Sequence, residues 1–337
     1  MTEHLHHDFT LSTGFKTPIL IERYFVVNDQ TDSSLFPDQI AKHNPHIIGD
    51  ATNYLFVSES LKSAITYSGN SVSILSDYDT HAIIRSEAGK NWHEFVIEML
   101  NMHLYGIENL ALIPGTIGAA PVQNIGAYGK EVADTILSVH CLNVSTGEKY
   151  VFSKDECQFS YRSSIFKKHD YSNLLITHVD FILSKVQSPK ADYPDVETFF
   201  IEKQITNPTS HDIAEAIIDI RRIKLPDPKI IGNAGSFFKN PVISIETFQS
   251  LLLDYPTLPS YPVDDLNVKI PAGWLIDNSG YKGFRYKGAG VHDKQALVLI
   301  NSQNATGRDI YELSLLIQQK IHQRFGIMLE PEVNILL

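Results

Sequence analysis

An α+β fold is what this sequence predicts, and three observations predict it. The first half is rich in short alternating or apolar runs that read as strands. Three longer segments carry apolar stripes at helical spacing. The two patterns never settle into the strict βαβ alternation of a parallel sheet. At 337 residues the chain exceeds the usual size of a single domain, so two or three domains sharing one site are expected.

The elements follow in order. Runs at 46–49, 54–59, 72–75 and 81–88 are strands separated by turn residues. Asn91 is placed to cap a helix through about residue 104, with Trp92, Phe95, Val96, Met99 and Leu100 on one face. Next comes LALIPGTIGAAPVQNIGAYG, residues 110–129, with four glycines, two prolines and almost no charge. Such a run cannot be a regular helix, and its apolar residues need a partner. It reads as a buried loop of small residues that let backbone approach something closely. Strands are expected at 136–144, 149–152 and 174–183, and a helix at 212–224 capped by Ser210, with Ile213, Ala216, Ile217 and Ile220 inward. Leu225–Pro226 ends that helix at a boundary. The last helix, 309–325, aligns Ile310, Leu313, Ile317 and Ile321 and stops at Gly326, and 328–337 is a final strand.

Composition excludes some functions. Lys and Arg number 28 against 39 Asp and Glu, a net charge of −11, which argues against a nucleic-acid partner while leaving room for a local basic pocket. Cys141 and Cys157 are too few for a disulfide framework and read as small buried hydrophobes. No stretch approaches the roughly 18 apolar residues of a membrane span, and residues 1–10 lack an apolar signal core, so a cytoplasmic protein is expected. His4, His6 and His7 lie in a polar terminal segment expected to be a disordered tail, and no metal site is expected.

Several motifs carry possible chemistry. The dinucleotide fingerprint GxGxxG after a strand is absent, as are the P-loop, HExxH and GxSxG. Any cofactor therefore sits in another cradle. The 115–129 loop offers one, because successive glycines expose backbone N–H groups that can face a pyrophosphate; a tight core crossover explains the glycines equally well. In GNAGSFFKNP, residues 232–241, small residues deliver the Ser236 hydroxyl, either as a proton donor or as a capping serine in a glycine turn. Arg162, in FSYRSSIFKK, needs a carboxylate or phosphate partner, from the protein or from a substrate. Glu330 and Glu332, at i and i+2 of a strand, would share one face. Lys224 ends a helix where the dipole favours a cation.

In order and spacing these motifs resemble the UDP-N-acetylenolpyruvoylglucosamine reductases. IPGTIGAAPVQNIGAYG is similar to that family's FAD-binding signature, preceded by GKNWHEFV and YGIENLALIPG and followed by YRSSIFK, RRIKLPDPK, GNAGSFFKNP, AGWLID, HDKQALVLIN and LEPEV, across roughly residues 47–333. The resemblance implies a vanillyl-alcohol-oxidase-like flavoprotein. Its first FAD subdomain would be 1–58 with 328–337, its second 59–226, and its substrate domain 227–327. FAD would contact Gly49, Asn53, Ile113, Pro114, Gly115, Gly118, Gln123, Asn124 and Gly126, and NADPH would reduce it. Ser236 matches the family's general acid, and Arg162 with Glu332 the pair that polarises the substrate carboxylate. Lys224, Asn240, Gln295 and Tyr193 match the diphosphate end of a nucleotide-sugar substrate and Tyr261 and Lys269 its uridine, with Tyr128, Tyr161 and Arg221 near the site. Tyr193, in YPDVETFF, implies the subclass with a tyrosine loop. A cytoplasmic monomer is implied. Another flavin oxidoreductase, or a nucleotide-sugar-binding protein that has lost FAD, is the alternative. One departure from the family pattern is Ala51, which stands in GDATN where a glycine is usual. If φ there is positive, alanine costs about 1 kcal/mol.

Overall fold

The computed structural model describes all 337 residues, and the chain divides into two compact units. Unit 1 comprises Met1–His7, Ile21–Ala51 and Ser60–Ile223; unit 2 comprises Asp8–Leu20, Thr52–Glu59 and Lys224–Leu337.

The centre of unit 1 is a five-stranded antiparallel sheet in the order Lys149–Ser153, Ile136–Asn143, Leu174–Ser184, His81–Glu87, Val72–Asp77. Strand alternation turns Ala82, Ile84 and Ser86 inward. The helix Trp92–Asn101 buries the five apolar residues expected of it, and Phe95 packs on Phe181 of the sheet with ring centres 5.1 Å apart. Each such side chain contributes on the order of 1.5–3 kcal/mol by leaving water. Asn91 caps the helix, its side chain accepting the Glu94 N–H at 3.0 Å. On the outer face, Arg85 holds the carboxylate of Asp180 through two nitrogens at 2.7 and 2.9 Å, joined by Ser138 and His140 at 2.9 Å each.

A second sheet runs Thr2–Asp8, Leu20–Val27, Ser60–Tyr67, His46–Ile47, its last pair parallel. The amino-terminal segment is thus an edge strand, not the expected tail. His4 and His7 lie against the Tyr24 ring, at 6.1 and 5.2 Å between centres. An exposed edge strand has no apolar side to reveal it in the sequence. The helix Ser210–Lys224 buries its expected stripe, but its cap is one residue earlier. Thr209 Oγ1 accepts the Asp212 N–H at 3.2 Å, whereas the buried Ser210 hydroxyl donates to Glu108 at 2.8 Å. The helix Pro194–Lys203 was not foreseen. Both cysteines are buried, and desolvation pushes both thiols up, Cys157 to about 12.

Unit 2 holds an antiparallel sheet in the order Gly232–Ser236, Val298–Asn301, Ala289–Val291, Arg285–Tyr286, and a smaller one of Val242–Ser244, Asn267–Lys269 and Tyr261–Pro262. The helix Gly307–Phe325 begins with a capping box between Thr306 and Asp309, buries its expected stripe, and ends at Gly326 with φ 69°. The expected strand at 328–337 shrinks to Asn334–Leu336, parallel to Tyr54–Phe56.

Candidate active site

The expected site residues fall into both units, and each group is built differently. In unit 1 the glycine-rich segment is the buried crossover of small residues that its composition predicted, with Leu110, Ala111, Ile117 and Ala120 in the core. Gly115 has φ 114°, open to glycine and strained for other residues. A Cβ on Gly49 would stand 3.3 Å from the Thr116 hydroxyl, and one on Gly118 would stand 2.7 Å from the Cβ of Ala88. The turn at Gly49 therefore packs against the side chains of Thr116 and Ala119, and Gly118 packs against Ala88, so small residues line both approaches. Ala51 adopts φ 49° and is buried, so the strain expected of an alanine there is present. Ile113, Pro114 and Gln123 flank the same loop.

Two tight turns display polar side chains beside it. Ala127 pairs with Lys130, leaving Tyr128 and Gly129 as a two-residue tip with φ 48° and 78°, the positive pair that such hairpin turns require. A tyrosine held there is unusual and marks a position fixed by something other than local preference. Its ring meets that of Tyr193 edge-on at 5.2 Å, and its hydroxyl hydrogen-bonds the Arg221 guanidinium. Burial raises the Tyr128 pKa. Burial also lowers that of Arg221, with the like charge of Arg162 acting in the same direction. In the second turn, Ser160 and Ser163 exchange both backbone hydrogen bonds at 3.0 Å around Tyr161 and Arg162, the latter at φ 53°. Arg162 lies over the Tyr161 ring at 5.4 Å and donates to the Gly126 carbonyl at 2.8 Å.

Unit 2 brings Ser236 and Glu332 onto adjoining segments. Ser236 ends its strand, and the next residue, Phe237, accepts the Glu332 N–H at 2.8 Å; Lys239 N–H bonds the Glu330 carbonyl at 2.9 Å. Phe237 and Phe238 are fully buried and anchor this pairing. Ser236 caps no helix. Its approach is shaped by Asn233, whose side chain bonds the carbonyls of Pro226 and Ile231 and the Gly235 N–H. Asn53 donates to the Glu332 carbonyl at 3.3 Å, so this expected cofactor residue also braces an expected catalytic one. Glu330 and Glu332 do not share a strand face as expected. Residues 328–333 form no continuous strand, and Glu330 turns outward to pair with Lys239 at 3.1 Å. Tyr261 and Lys269 are direct cross-strand partners. Asn240 accepts the Ala272 N–H at 2.9 Å, Gln295 lies beside Gly273, and Lys224 is exposed at the end of its helix.

Two buried asparagines build the site from behind, and of these Asn109 was not foreseen. Asn109 ties the carbonyls of Tyr128 and Lys190 together, at 3.0 and 3.1 Å, ahead of Tyr193. Asn124 was expected at the cofactor, yet its surface is 0% exposed, which leaves it none to offer a ligand.

The class of the protein, an FAD-dependent oxidoreductase on an α+β framework, follows from its likeness to known proteins. Residues 45–153 match the family model of an FAD binding domain, and residues 227–336 match that of the UDP-N-acetylenolpyruvoylglucosamine reductase C-terminal domain. The chain is 44% identical over 290 residues to the UDP-N-acetylenolpyruvoylglucosamine reductase of Chromobacterium violaceum, covering 86% of this chain and 85% of that one. It is 40% identical over 328 residues to that of Bdellovibrio bacteriovorus, covering 97% of each. Its fold is similar to the crystal structure of the Thermus caldophilus reductase, with TM-score 0.67, 20% identity, and coverage of 100% and 98%. The chain belongs to the UDP-N-acetylenolpyruvoylglucosamine reductase family. It is an FAD-dependent oxidoreductase, and no helix in it is long and apolar enough to cross a membrane.

Proposed function

We propose that this chain reduces the enolpyruvyl group of UDP-N-acetylglucosamine enolpyruvate to give UDP-N-acetylmuramate, a peptidoglycan precursor, using FAD and NADPH. The reading is carried by the backbone pairing that sets Ser236 beside Glu332, in a chain whose relatives bear the reductase name over most of its length. FAD, when bound, supplies the hydride that reaches C3 of the substrate, and Gly49, Gly115 and Gly118 would leave backbone open to its pyrophosphate, Gly115 through a φ of 114° and Gly118 through the lack of room for a side chain beside Ala88.

This chain's own residues then handle charge and protons. Arg162 pairs with the substrate carboxylate and steadies the negative charge that develops through it toward C2. The Ser236 hydroxyl delivers a proton to C2, the one carbon basic enough for a serine to serve. Glu332 orients the same carboxylate and must carry a proton or a partner to do so. The Tyr193 segment covers the diphosphate end, which Lys224 neutralises and Asn240 and Gln295 orient, while Tyr261 and Lys269 hold the uridine. Reading the chain as a cytoplasmic monomer of three domains (1–58 with 328–337, 59–226 and 227–327) rests on the resemblance, and the family match beginning at residue 227 supports the last boundary.

Anaerobic stopped-flow of flavin absorbance tests the proposal. NADPH should bleach the flavin, and UDP-N-acetylglucosamine enolpyruvate should restore it. Ser236→Ala should leave bleaching nearly intact and slow recovery at least about 10²-fold. Bleaching without recovery in the wild type rejects the substrate, and equal slowing of both steps in Ser236→Ala rejects the serine as the acid.

A further inference from the structure

Asn124 lies at the heart of the glycine-rich run, yet no part of it reaches the surface. It also holds a left-handed backbone, φ 46°, which an asparagine tolerates best when its side chain is engaged. The amide is saturated. Nδ2 donates to Glu131 Oε2 at 2.7 Å and to the Ser160 carbonyl at 3.2 Å, and Oδ1 accepts the Ala133 N–H at 3.1 Å. Two acceptors on one side and a backbone donor on the other admit a single orientation of the group.

Ser160 is the base of the two-residue turn that displays Arg162. The tip of that turn is fixed by the bond from Arg162 to the Gly126 carbonyl, and Gly126 pairs with Glu131 in the small hairpin. The contacts therefore close a ring: Asn124 to Ser160, along the turn to Arg162, on to Gly126, across to Glu131, and back to Asn124. Every bond in the ring except those at Asn124 is backbone pairing or is made by Arg162 itself. Removing this one amide takes away the side-chain bond on Ser160 and leaves the turn held only at its tip and, past its base, by the bond from Ser164 to the Val122 carbonyl.

We propose that Asn124 is a positioning residue for Arg162 and touches neither cofactor nor substrate. This rests on the reading that Arg162 binds the substrate carboxylate. A guanidinium displaced by about 1 Å loses its match to a carboxylate, a misplacement that typically costs about 10²-fold in rate.

The test compares wild type, Asn124→Ala and Asn124→Asp for flavin content per chain and for the two half-reactions by anaerobic stopped-flow. Flavin content and reduction by NADPH should stay within about twofold of wild type, while reoxidation by UDP-N-acetylglucosamine enolpyruvate slows about 10²-fold. Asn124→Asp adds a pH signature. Its ionised carboxylate would face that of Glu131, which raises its pKa, and only its protonated form restores a donor. Its reoxidation rate, relative to wild type at each pH, should therefore recover as pH falls while flavin content and reduction by NADPH stay level, whereas a general structural defect would move all three together. This second variant carries the test alone if Asn124→Ala fails to fold. Loss of flavin, equal slowing of both half-reactions, no change in either, or a pH-independent ratio in Asn124→Asp would each overturn the proposal. A wild-type enzyme that the enolpyruvyl substrate does not reoxidise would overturn the functional reading itself, and this role with it.

Discussion

Ala51 shows how one residue's backbone can conflict with its side chain. At φ 49° an L-residue pays about 1–2 kcal/mol relative to the right-handed region, and Ala51 pays it in a buried turn. Replacing it by glycine removes that strain and forfeits one buried methyl worth up to about 0.8 kcal/mol. Ala51→Gly should leave the urea midpoint unchanged or slightly higher, whereas Ala51→Val, branched at Cβ and larger, should lower stability by at least about 1 kcal/mol. A glycine variant clearly less stable than wild type would mean that the turn is not left-handed in solution. The conflict was visible in the sequence, because GDATN departs from a glycine-bearing pattern. Its sign was not, since φ is not written in composition. Arg162 and Tyr128 show the same limit: their presence could be read directly, while their display at positive φ on the tips of two-residue turns depends on hydrogen bonds between neighbours in space.

Elements with a strong local signature were legible. The Trp92–Asn101 and Gly307–Phe325 helices appear with the caps and stripes that Asn91 and Gly326 announce. Strand partners were not, because register is decided across the sheet. Arg85 and Asp180 are 95 residues apart and meet only because His81–Glu87 pairs with Leu174–Ser184. Asp180 is buried, which alone would raise its pKa, but hydrogen bonds from Arg85, His140 and Ser138 overcome this and hold the carboxyl well below the usual carboxylate range. A depressed folded-state pKa means that the contribution is complete above the unfolded pKa of about 3.9 and is lost as pH falls through the folded value. Asp180→Asn should therefore cost about 2 kcal/mol at pH 7, below the figure for a fully buried pair because Arg85 is one-third exposed. The gap between variant and wild type in urea should narrow as pH drops below about 4. A gap constant from pH 7 to pH 2.5 would remove the linkage.

At the scale of the whole molecule, the motifs that point to function lie in loops, and loops are where chemistry is written most locally. The division into units is not local at all. Residues 8–20 and 52–59 belong with the carboxy-terminal half through contacts such as Tyr54–Phe56 with Asn334–Leu336, nearly the full chain length apart. No composition shift marks those joins, and the expectation that 328–337 goes with 1–58 came from the resemblance alone. FAD binding should be felt by the whole fold, because a cofactor that binds only the native state adds its binding free energy to stability. At about a hundred times its dissociation constant the addition is about 2.7 kcal/mol. For a chain of this length that is a rise in Tm of roughly 3–6 °C. Protein stripped of flavin should therefore unfold earlier than reconstituted protein, and the difference should grow with the logarithm of free FAD rather than saturate with site occupancy. A Tm indifferent to FAD across a thousandfold range of concentration would show that the cradle around Gly49 and Gly115 takes no flavin, whatever its glycines permit.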